Sequence, residues 1–501
     1  MFNEFLAEHP ANADTTGKVE ALERSVLDLI PLFASWKDSL ARVNRLPPEV
    51  LTRIAQFLSN RELYAGLRVC RYWHNVLMSP ELWSDIDLDQ VEAAQIFLSR
   101  SKGVPVDVRS TRSHKEIQLT ILSTCPSRIR SLNISLGAVS WHLLTNFSNT
   151  PAPLMRHLRI ACGRRTGCSQ LPSTLFTGNL PSLRSLVLFN ISSDFTHLVL
   201  PNLTTFELRG VTDSDVALSL SSLLDFLERS PLLESLHFNY HSNYDDTVAP
   251  KRVITLHRAK SIHISGRPLT PTDTSRGLLA HLLLPSGVAV DLEVYIHGSD
   301  TDVVARAIPL HYDLIPCTKS PKRISFQRVT SSGCLIAFTG ENGFFRIFAN
   351  WEEIDEDFAS QAICSFGSLD VSGVDTLVVH NYGDTHQYYT QALRNLSNLR
   401  SLAVSCCDNG AAVLYALRQE GTSPRLQHFA MDIVDAGSVH VDDLLEVAKV
   451  RKLRDQKLET LRVGLLSRGN LVGSISSLQE YVESLEIPRA LEPGDSFRSR
   501  F

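Results

Sequence analysis

Cysteine, histidine and glycine are the residues whose spacing most directly announces chemistry, and the 501-residue chain holds nine cysteines, seventeen histidines and twenty-five glycines. Cys162 and Cys168 flank Gly-Arg-Arg-Thr-Gly, and Cys406 and Cys407 are adjacent. Neither arrangement is the paired C-x-x-C that a tetrahedral zinc site uses, so the expectation is buried thiols at strand ends. The approach to a phosphate loop, Gly464-Leu-Leu-Ser-Arg-Gly469, puts Asn470 where a lysine must meet phosphate. No nucleophile elbow, zincin or dinucleotide-binding pattern occurs. His157, His237, His263 and His428 lie beside Leu-rich strands, and their expected place is solvent or a ligand groove rather than a metal. Arg164-Arg165 sits in a Gly-bounded stretch and reads as a solvated loop. The chain therefore predicts no catalytic residue, no metal ligand and no cofactor.

Composition sets the remaining limits. A hydrophobic content of 43%, a charged content of 21% and a net charge of -5 describe an ordinary globular chain of several domains. Without a basic excess, nucleic acid is not an expected partner. No run of eighteen apolar residues occurs, so no membrane span is expected. The first residues lack the basic-then-apolar order of a signal peptide. An odd cysteine count without framework spacing fits a reducing compartment, cytosol or nucleus, and makes the Asn-x-Ser/Thr matches at Asn133, Asn146, Asn190, Asn202 and Asn395 chance ones.

With chemistry set aside, positioning elements become the informative part. In the stretch 46–83, eighteen of thirty-eight residues are Leu, Val, Ile, Phe, Met, Tyr, Trp or Cys. Leu46-Pro47-Pro48 enters a helix, since proline near the first helical position loses no hydrogen bond. Val50, Leu51, Ile54, Phe57 and Leu58 share one helical face. Asn60 is a good N-cap for a second helix bearing Leu63, Leu67 and Cys70, while Val69, Trp73 and Leu77 recur every four residues. Leu82-Trp83 closes the stretch after Pro80-Glu81. Gly66 enters the second helix at a cost of about 1 kcal/mol relative to alanine. A piece this small cannot bury so many apolar groups alone, so some of that surface must meet another chain or another part of this one.

The order Leu-Pro, Glu-Val-Leu-x-x-Ile, a Leu-rich helix, Val-Cys-Arg-Tyr-Trp and Leu-Trp resembles an F-box. The resemblance implies docking onto a Skp-family adaptor of a cullin-RING ubiquitin ligase, with this chain as the non-catalytic receptor of a protein substrate. Carried over by matching position, Leu46, Pro47, Val50, Leu51, Ile54, Leu58, Leu63, Leu67, Val69, Cys70, Trp73, Leu77 and Trp83 would pack the motif or meet the adaptor, and not all thirteen can do both. Pro47, Leu51 and Trp73 stand out as first choices for substitution.

Before the motif, Val19, Leu22, Val26, Leu29, Phe33, Trp36, Leu40 and Val43 are spaced 3, 4, 3, 4, 3, 4, 3, the seam of a helix lying against another helix. Pro31 is expected to kink or interrupt it near Ile30. Packing on the F-box and a short self-pairing helix both remain open, with packing inside the chain preferred. After it, a helix over 91–101 and a strand through Val104, Val106 and Val108 give way to a recurring phrase. Clear copies are SRIRSLNISL (127–136), PSLRSLVLFN (181–190), PNLTTFELRG (201–210), PLLESLHFNY (231–240), SNLRSLAVSC (397–406), PRLQHFAMDI (424–433) and QKLETLRVGL (456–465), with weaker ones between. One series of inward positions runs through Leu132, Leu158, Leu186, Phe206 and Leu236, and a second through Leu402, Phe429 and Leu461.

Successive members stand 26, 28, 20 and 30 residues apart in the first series and 27 and 32 in the second, around the leucine-rich-repeat period. Each unit would be a strand whose inward residues need the next unit to cover them, with helices such as 218–229 returning the chain. The fold class that follows is α/β: a helical F-box, then a leucine-rich-repeat solenoid, a horseshoe of parallel sheet with outer helices. Boundaries are expected at 1–16 (disordered), 17–44 (heptad helix), 45–90 (F-box), 91–488 (irregular repeats) and 489–501 (flexible tail). Within 298–370 the rhythm blurs, and two apolar runs around Gly340-Glu-Asn-Gly343 read as a hairpin that either widens the sheet or forms an insertion.

Overall fold

The computed structural model describes residues 13–111, 125–137, 144, 147, 150–163, 169–172, 175–178, 180–192, 195–211, 219–240, 252–266, 278–296, 314–319, 321–330, 333–351, 371–380, 386–406, 410–433, 441–465 and 475–487. The expectations for 1–12 and 488–501, and for Cys168 and Arg164-Arg165, lie outside them. The chain divides into two units, Met1–Thr111 with Arg128–Ser131 and Arg112–Ser127 with Leu132–Phe501.

The first unit opens with α1 (Ala13–Leu40), which runs through Pro31 without a break. Proline forfeits one backbone hydrogen bond, and the flanking turns hold the helix across that loss. The expected interruption at Ile30 therefore does not occur. The preferred internal packing of its seam does not occur either: Leu22, Val26, Leu29 and Phe33 are 46–65% exposed. Three short helices follow, α2 (Pro48–Ala55), α3 (Asn60–Gly66) and α4 (Arg71–Leu77), then a 3₁₀ turn at Pro80–Trp83. A short strand β1 (Asp85–Asp87), helix α5 (Val91–Arg100) and strand β2 (Val106–Arg109) complete the unit, with β1 and β2 parallel in the register Ile86 to Val108. Arg128 ties the end of α5 down by donating to Ser101 Oγ at 2.7 Å and to the Val104 carbonyl. β3 (Ile129–Leu136) crosses the unit boundary.

The second unit is a large, mostly parallel sheet. Its first run contains β4 (His157–Cys162), β5 (Ser185–Phe189), β6 (Thr205–Val211), β7 (Ser235–Tyr240), β8 (Ser261–Gly266) and β9 (Ala289–Ile296), each parallel to the next. The repeated phrase sets the register. Leu158, Leu186, Phe206, Leu236, Ile262 and Leu292 are direct partners across successive strands. Alternate side chains of a strand point to opposite faces, so these residues and their i+2 neighbours share one face, and there they are buried. Phe195, Phe206 and Phe226 stack on it with centroids 4.8–5.5 Å apart, the last from helix α6 (Leu220–Glu228).

The hairpin widens the sheet. β10 (Arg323–Thr330), β11 (Gly333–Gly340) and β12 (Gly343–Trp351) form an antiparallel meander, yet β12 lies parallel to β9 and β10 lies parallel to β13 (Thr376–His380). A second parallel run then passes through β14 (Ser401–Cys406), β15 (His428–Ile433), β16 (Leu458–Leu465) and β17 (Val482–Glu486). Leu377, Leu402, Phe429, Leu461 and Leu485 continue the ladder. Helices α7 (His386–Asn395), α8 (Gly410–Arg418), α9 (Val441–Leu453) and α10 (Ile475–Leu478) return the chain there. In the first run 3₁₀ turns at Leu175–Gly178 and Phe195–His197 occupy two of the connections.

Gly343 adopts φ +112°, and a Cβ there would meet the Val288 carbonyl at 2.4 Å. Gly343→Ala is therefore expected to cost about 1–3 kcal/mol and to lower the thermal midpoint of the intact chain. Gly103→Ala, whose Cβ would meet nothing within 4 Å, serves as the matched control in the same melt.

Candidate functional site

Two surfaces collect residues with no role in the core, and the helical unit carries the more defined one. Pro47 is the N-cap of α2 and Pro48 its first residue, which presets the backbone at the helix start. Leu51 and Ala55 turn inward and are each 1% exposed, while Val50, Ile54 and Phe57 are 43%, 45% and 86% exposed. Exposed Pro47, Val50, Ile54 and Phe57, spaced 3, 4 and 3, form one stripe along the outer side of α2.

The support beneath this stripe explains why it stays in place. Ser59, not Asn60, caps α3: its hydroxyl accepts from the Glu62 N–H while the Glu62 carboxylate accepts from the Ser59 N–H at 2.7 Å. The Ser59 hydroxyl, which also donates to the Glu62 carboxylate at 2.7 Å, and the Ser59 N–H together hold that carboxyl below its ordinary range. Gly66 is buried, and a Cβ there would meet Leu77 Cδ1 at 2.5 Å, so its missing side chain lets α3 close onto α4. The propensity cost of that glycine is offset by the close approach it permits. Val69 is exposed in the turn before α4 and is not part of one helix with Trp73 and Leu77, since α4 begins at Arg71.

Three side chains anchor the entry to α2. Trp73 Nε1 donates to Asn44 Oδ1 at 2.8 Å, Asn44 Nδ2 donates to Cys70 Sγ at 3.8 Å, and the Tyr72 hydroxyl donates to the Leu46 carbonyl. Deeper still, Trp83 donates from Nε1 to the Leu77 carbonyl at 2.8 Å and packs edge-on against Phe97 at 4.8 Å and Tyr64 at 5.6 Å. The Arg100 guanidinium lies 4.3 Å over the Trp83 ring.

The thirteen residues singled out by sequence thus divide. Leu51, Leu63, Leu77 and Trp83 are buried, Leu46, Leu58, Leu67, Cys70 and Trp73 are half-buried, and Pro47, Val50, Ile54 and Val69 are exposed. Phe57 shares the exposed stripe although the motif match did not select it. Asn44 and Tyr72 were also missed; as polar or solitary residues they leave no trace in an apolar periodicity.

The second surface is the sheet face opposite the L-x-L ladder. Register places Glu207, His237, His263, Asp291 and Arg346 side by side across five neighbouring strands. Arg209 forms an ion pair with Glu207 and donates to His237 Nδ1 at 3.4 Å, and the His237 and His263 rings stack at 4.2 Å. Arg346 donates to Asp291 from Nε and, at 2.7 Å, from Nη2. Burial, His263 and Arg209 push His237 down to about 3, and burial lowers His263 as well, so both imidazoles are neutral near pH 7. Past the hairpin the same row becomes Val378, Ala403 and Ala430, all buried.

Among the described residues no group of three or more His, Cys, Asp or Glu side chains is placed to hold a metal, and no helix is long and apolar enough to cross a membrane. Cys162 ends β4 as a buried thiol outside any disulfide, as the spacing predicts, and Cys406 ends β14. His157 and His428 are exposed at strand starts.

A short helical unit with an apolar stripe on α2, followed by an α/β sheet, has the form of a docking module joined to a second domain. Residues 43–89 match the F-box-like family model, so the chain carries an F-box-like domain. A stretch of 204 residues, 40% of this chain, is 26% identical to lysine-specific demethylase 2B of Mus musculus and covers 14% of that relative's length. That stretch is much longer than 43–89, so the likeness includes sequence outside the matched domain.

Two measurements test these surfaces. Gly66→Ala is expected to destabilise the helical unit by about 1–3 kcal/mol despite alanine's better propensity, whereas Phe57→Ser should leave the thermal midpoint within about a degree. For the sheet, a depressed folded-state pKa means the unfolded chain binds the extra proton first. Stability should then be full above about pH 6.5 and fall as pH drops toward 3. His237→Gln should flatten that fall by up to about 2 °C per pH unit in a thermal melt series.

Proposed function

We propose that this chain is the non-catalytic substrate receptor of a Skp-adaptor, cullin and F-box ubiquitin ligase. The observation that carries the reading is the solvent-facing apolar stripe Pro47, Val50, Ile54 and Phe57 inside the matched F-box-like domain. F-box domains bind Skp-type adaptors, and a cullin would be recruited through that adaptor. Of the thirteen positions, the exposed and half-buried ones are the proposed adaptor contacts, and Leu51, Leu63, Leu77 and Trp83 hold the stripe in shape. Burying four such side chains would contribute several kcal/mol, enough for a stable docking contact.

The second domain reads best as irregular leucine-rich repeats. Support comes from the L-x-L phrases, which are in-register partners along both parallel runs. The protein substrate would lie on the face that carries Glu207, Arg209, His237, His263, Asp291 and Arg346, whose neutral imidazoles and paired charges offer donors and acceptors without a large net charge. The receptor supplies proximity, while bond making belongs to a recruited conjugating enzyme. The demethylase in the relative's name is not carried over, since the likeness spans 14% of that protein. Cytosol or nucleus is the proposed location, from the cysteine usage alone.

The alternative is an F-box interaction scaffold that binds the adaptor without assembling with a cullin. Quantitative pull-down mass spectrometry on the tagged intact chain and on Ile54→Asp/Phe57→Asp separates these. At least a tenfold loss of adaptor and cullin, with other bound proteins retained, is the expected result. Equal adaptor recovery by both forms overturns the docking face, and adaptor without cullin in the parent chain selects the scaffold.

A further inference from the structure

The helix α1 carries a second apolar face that the F-box reading does not use. Leu22, Val26, Leu27, Leu29, Ile30, Leu32 and Phe33 are all 46–65% exposed, an arrangement that costs free energy in a lone helix. In heptad letters, Val19, Val26 and Phe33 stand at a, and Leu22 and Leu29 at d. Pro31 then falls at f, on the side away from the seam, so its ring does not obstruct a partner helix. Glu20 and Arg24 form an i,i+4 ion pair on that outer side.

The flanking positions identify the partner. Position e reads Glu23, Ile30, Lys37, and position g reads Lys18, Ser25, Leu32, Ser39. In a parallel self-pair, each g residue meets the e residue five later in its partner. Lys18 would face Glu23, an attractive pair, but Ser25 would face Ile30 and Leu32 would face Lys37, a polar group against an apolar one both times. In an antiparallel self-pair e meets e and g meets g. Centred near residue 31, this arrangement sets Leu29 against Phe33 across the axis. Ile30 meets Ile30 on one flank and Leu32 meets Leu32 on the other, and Glu23 faces Lys37 twice. The polar positions Ser25 and Ser39 also oppose each other. The two apolar flank residues sit in the middle heptad, where a two-fold axis would bring each against its own copy.

We propose that α1 pairs with the same helix of a second copy of this chain, antiparallel, about a two-fold axis near Pro31. The 28-residue helix, about 42 Å long, provides the seam length. Each direction forms two opposite-charge contacts, so the matched hydrophobicity of Ile30 and Leu32 at the centre fixes the direction. The pairing is independent of what docks on α2 and places two receptor chains in one particle, with their F-boxes leaving opposite ends of the pair.

Sedimentation equilibrium of the intact chain tests this, with twice the 55.8 kDa chain mass expected at about 10 µM. Leu29→Asp/Phe33→Asp should run at the single-chain mass with its adaptor recovery unchanged, which separates this proposal from the docking reading. Glu23→Lys should weaken the dimer by roughly tenfold, and the double variant Glu23→Lys/Lys37→Glu should restore it. Mixing Ser25→Cys with Ser39→Cys protein and oxidising should join residue 25 of one chain to 39 of the other. In a parallel pair those positions lie about 21 Å apart. A single-chain mass at up to about 100 µM, a dimer that survives Leu29→Asp/Phe33→Asp, or cross-links of 25 only to 25 would each overturn the proposal.

Discussion

The architecture rests on one constraint: two inward side chains per strand cannot be covered by the strand's own segment. Leu186 and Leu188 are buried with Leu158 and Ile160 on one side and Phe206 and Leu208 on the other. Each added strand thus contributes apolar area and also protects its neighbour, which makes the stack cooperative over its length. At the strand ends, polar side chains bind backbone of the neighbouring segment. Asn190 takes φ +54°, donates from Nδ2 to the Cys162 carbonyl at 3.0 Å, and its Oδ1 stands 2.4 Å from where a Cβ on Gly210 would be. Arg451 serves a similar end in the second run, buried between α9 and the backbone it binds at Ser423 and Leu426. Its burial lowers the guanidinium to about 10, so the charge is kept at neutral pH.

Much of this was legible in the residues, for a reason that can be stated. A strand side chain alternates with period two, and L-x-L phrases mark which residues share the inner face. Because the marker is the inward pair itself, Leu158, Leu186, Phe206 and Leu236, read from sequence as equivalent, are the register partners of β4 through β7. The hairpin was visible as two apolar runs about Gly340-Glu-Asn-Gly343, but its place in the sheet was not. Strand order depends on contacts distant in the chain, such as Arg346 to Asp291, and no local pattern encodes them.

In the helical unit the division between support and surface was the hidden part. Val50 and Leu51 are neighbours of similar hydrophobicity, yet one is outside and the other inside, since the direction of approach of α4 decides which face closes. Gly66 looked like a weakness because propensity is local, while its value lies in the Leu77 methyl that occupies the space. Pro31 misled in the same way, since the helix runs through it from Ala13 to Leu40. The polar anchors Asn44 and Tyr72 belong to no periodicity and show themselves only in the fold.

The three-strand meander between the two parallel runs also bears on how the molecule comes together. Neighbours within a run are joined across short segments, as Thr204 meets Arg184 and Gln427 meets Glu459. By contrast, Arg346 of β12 reaches Asp291 of β9 over a much longer stretch of chain. Doubling a loop adds about 0.6 kcal/mol of closure entropy, and the meander must also form before it has two edges to offer. Each run can therefore pair through shorter closures than those the meander requires. An incompletely folded chain would expose β9 and β13 as bare edges, the places where a foreign strand could add.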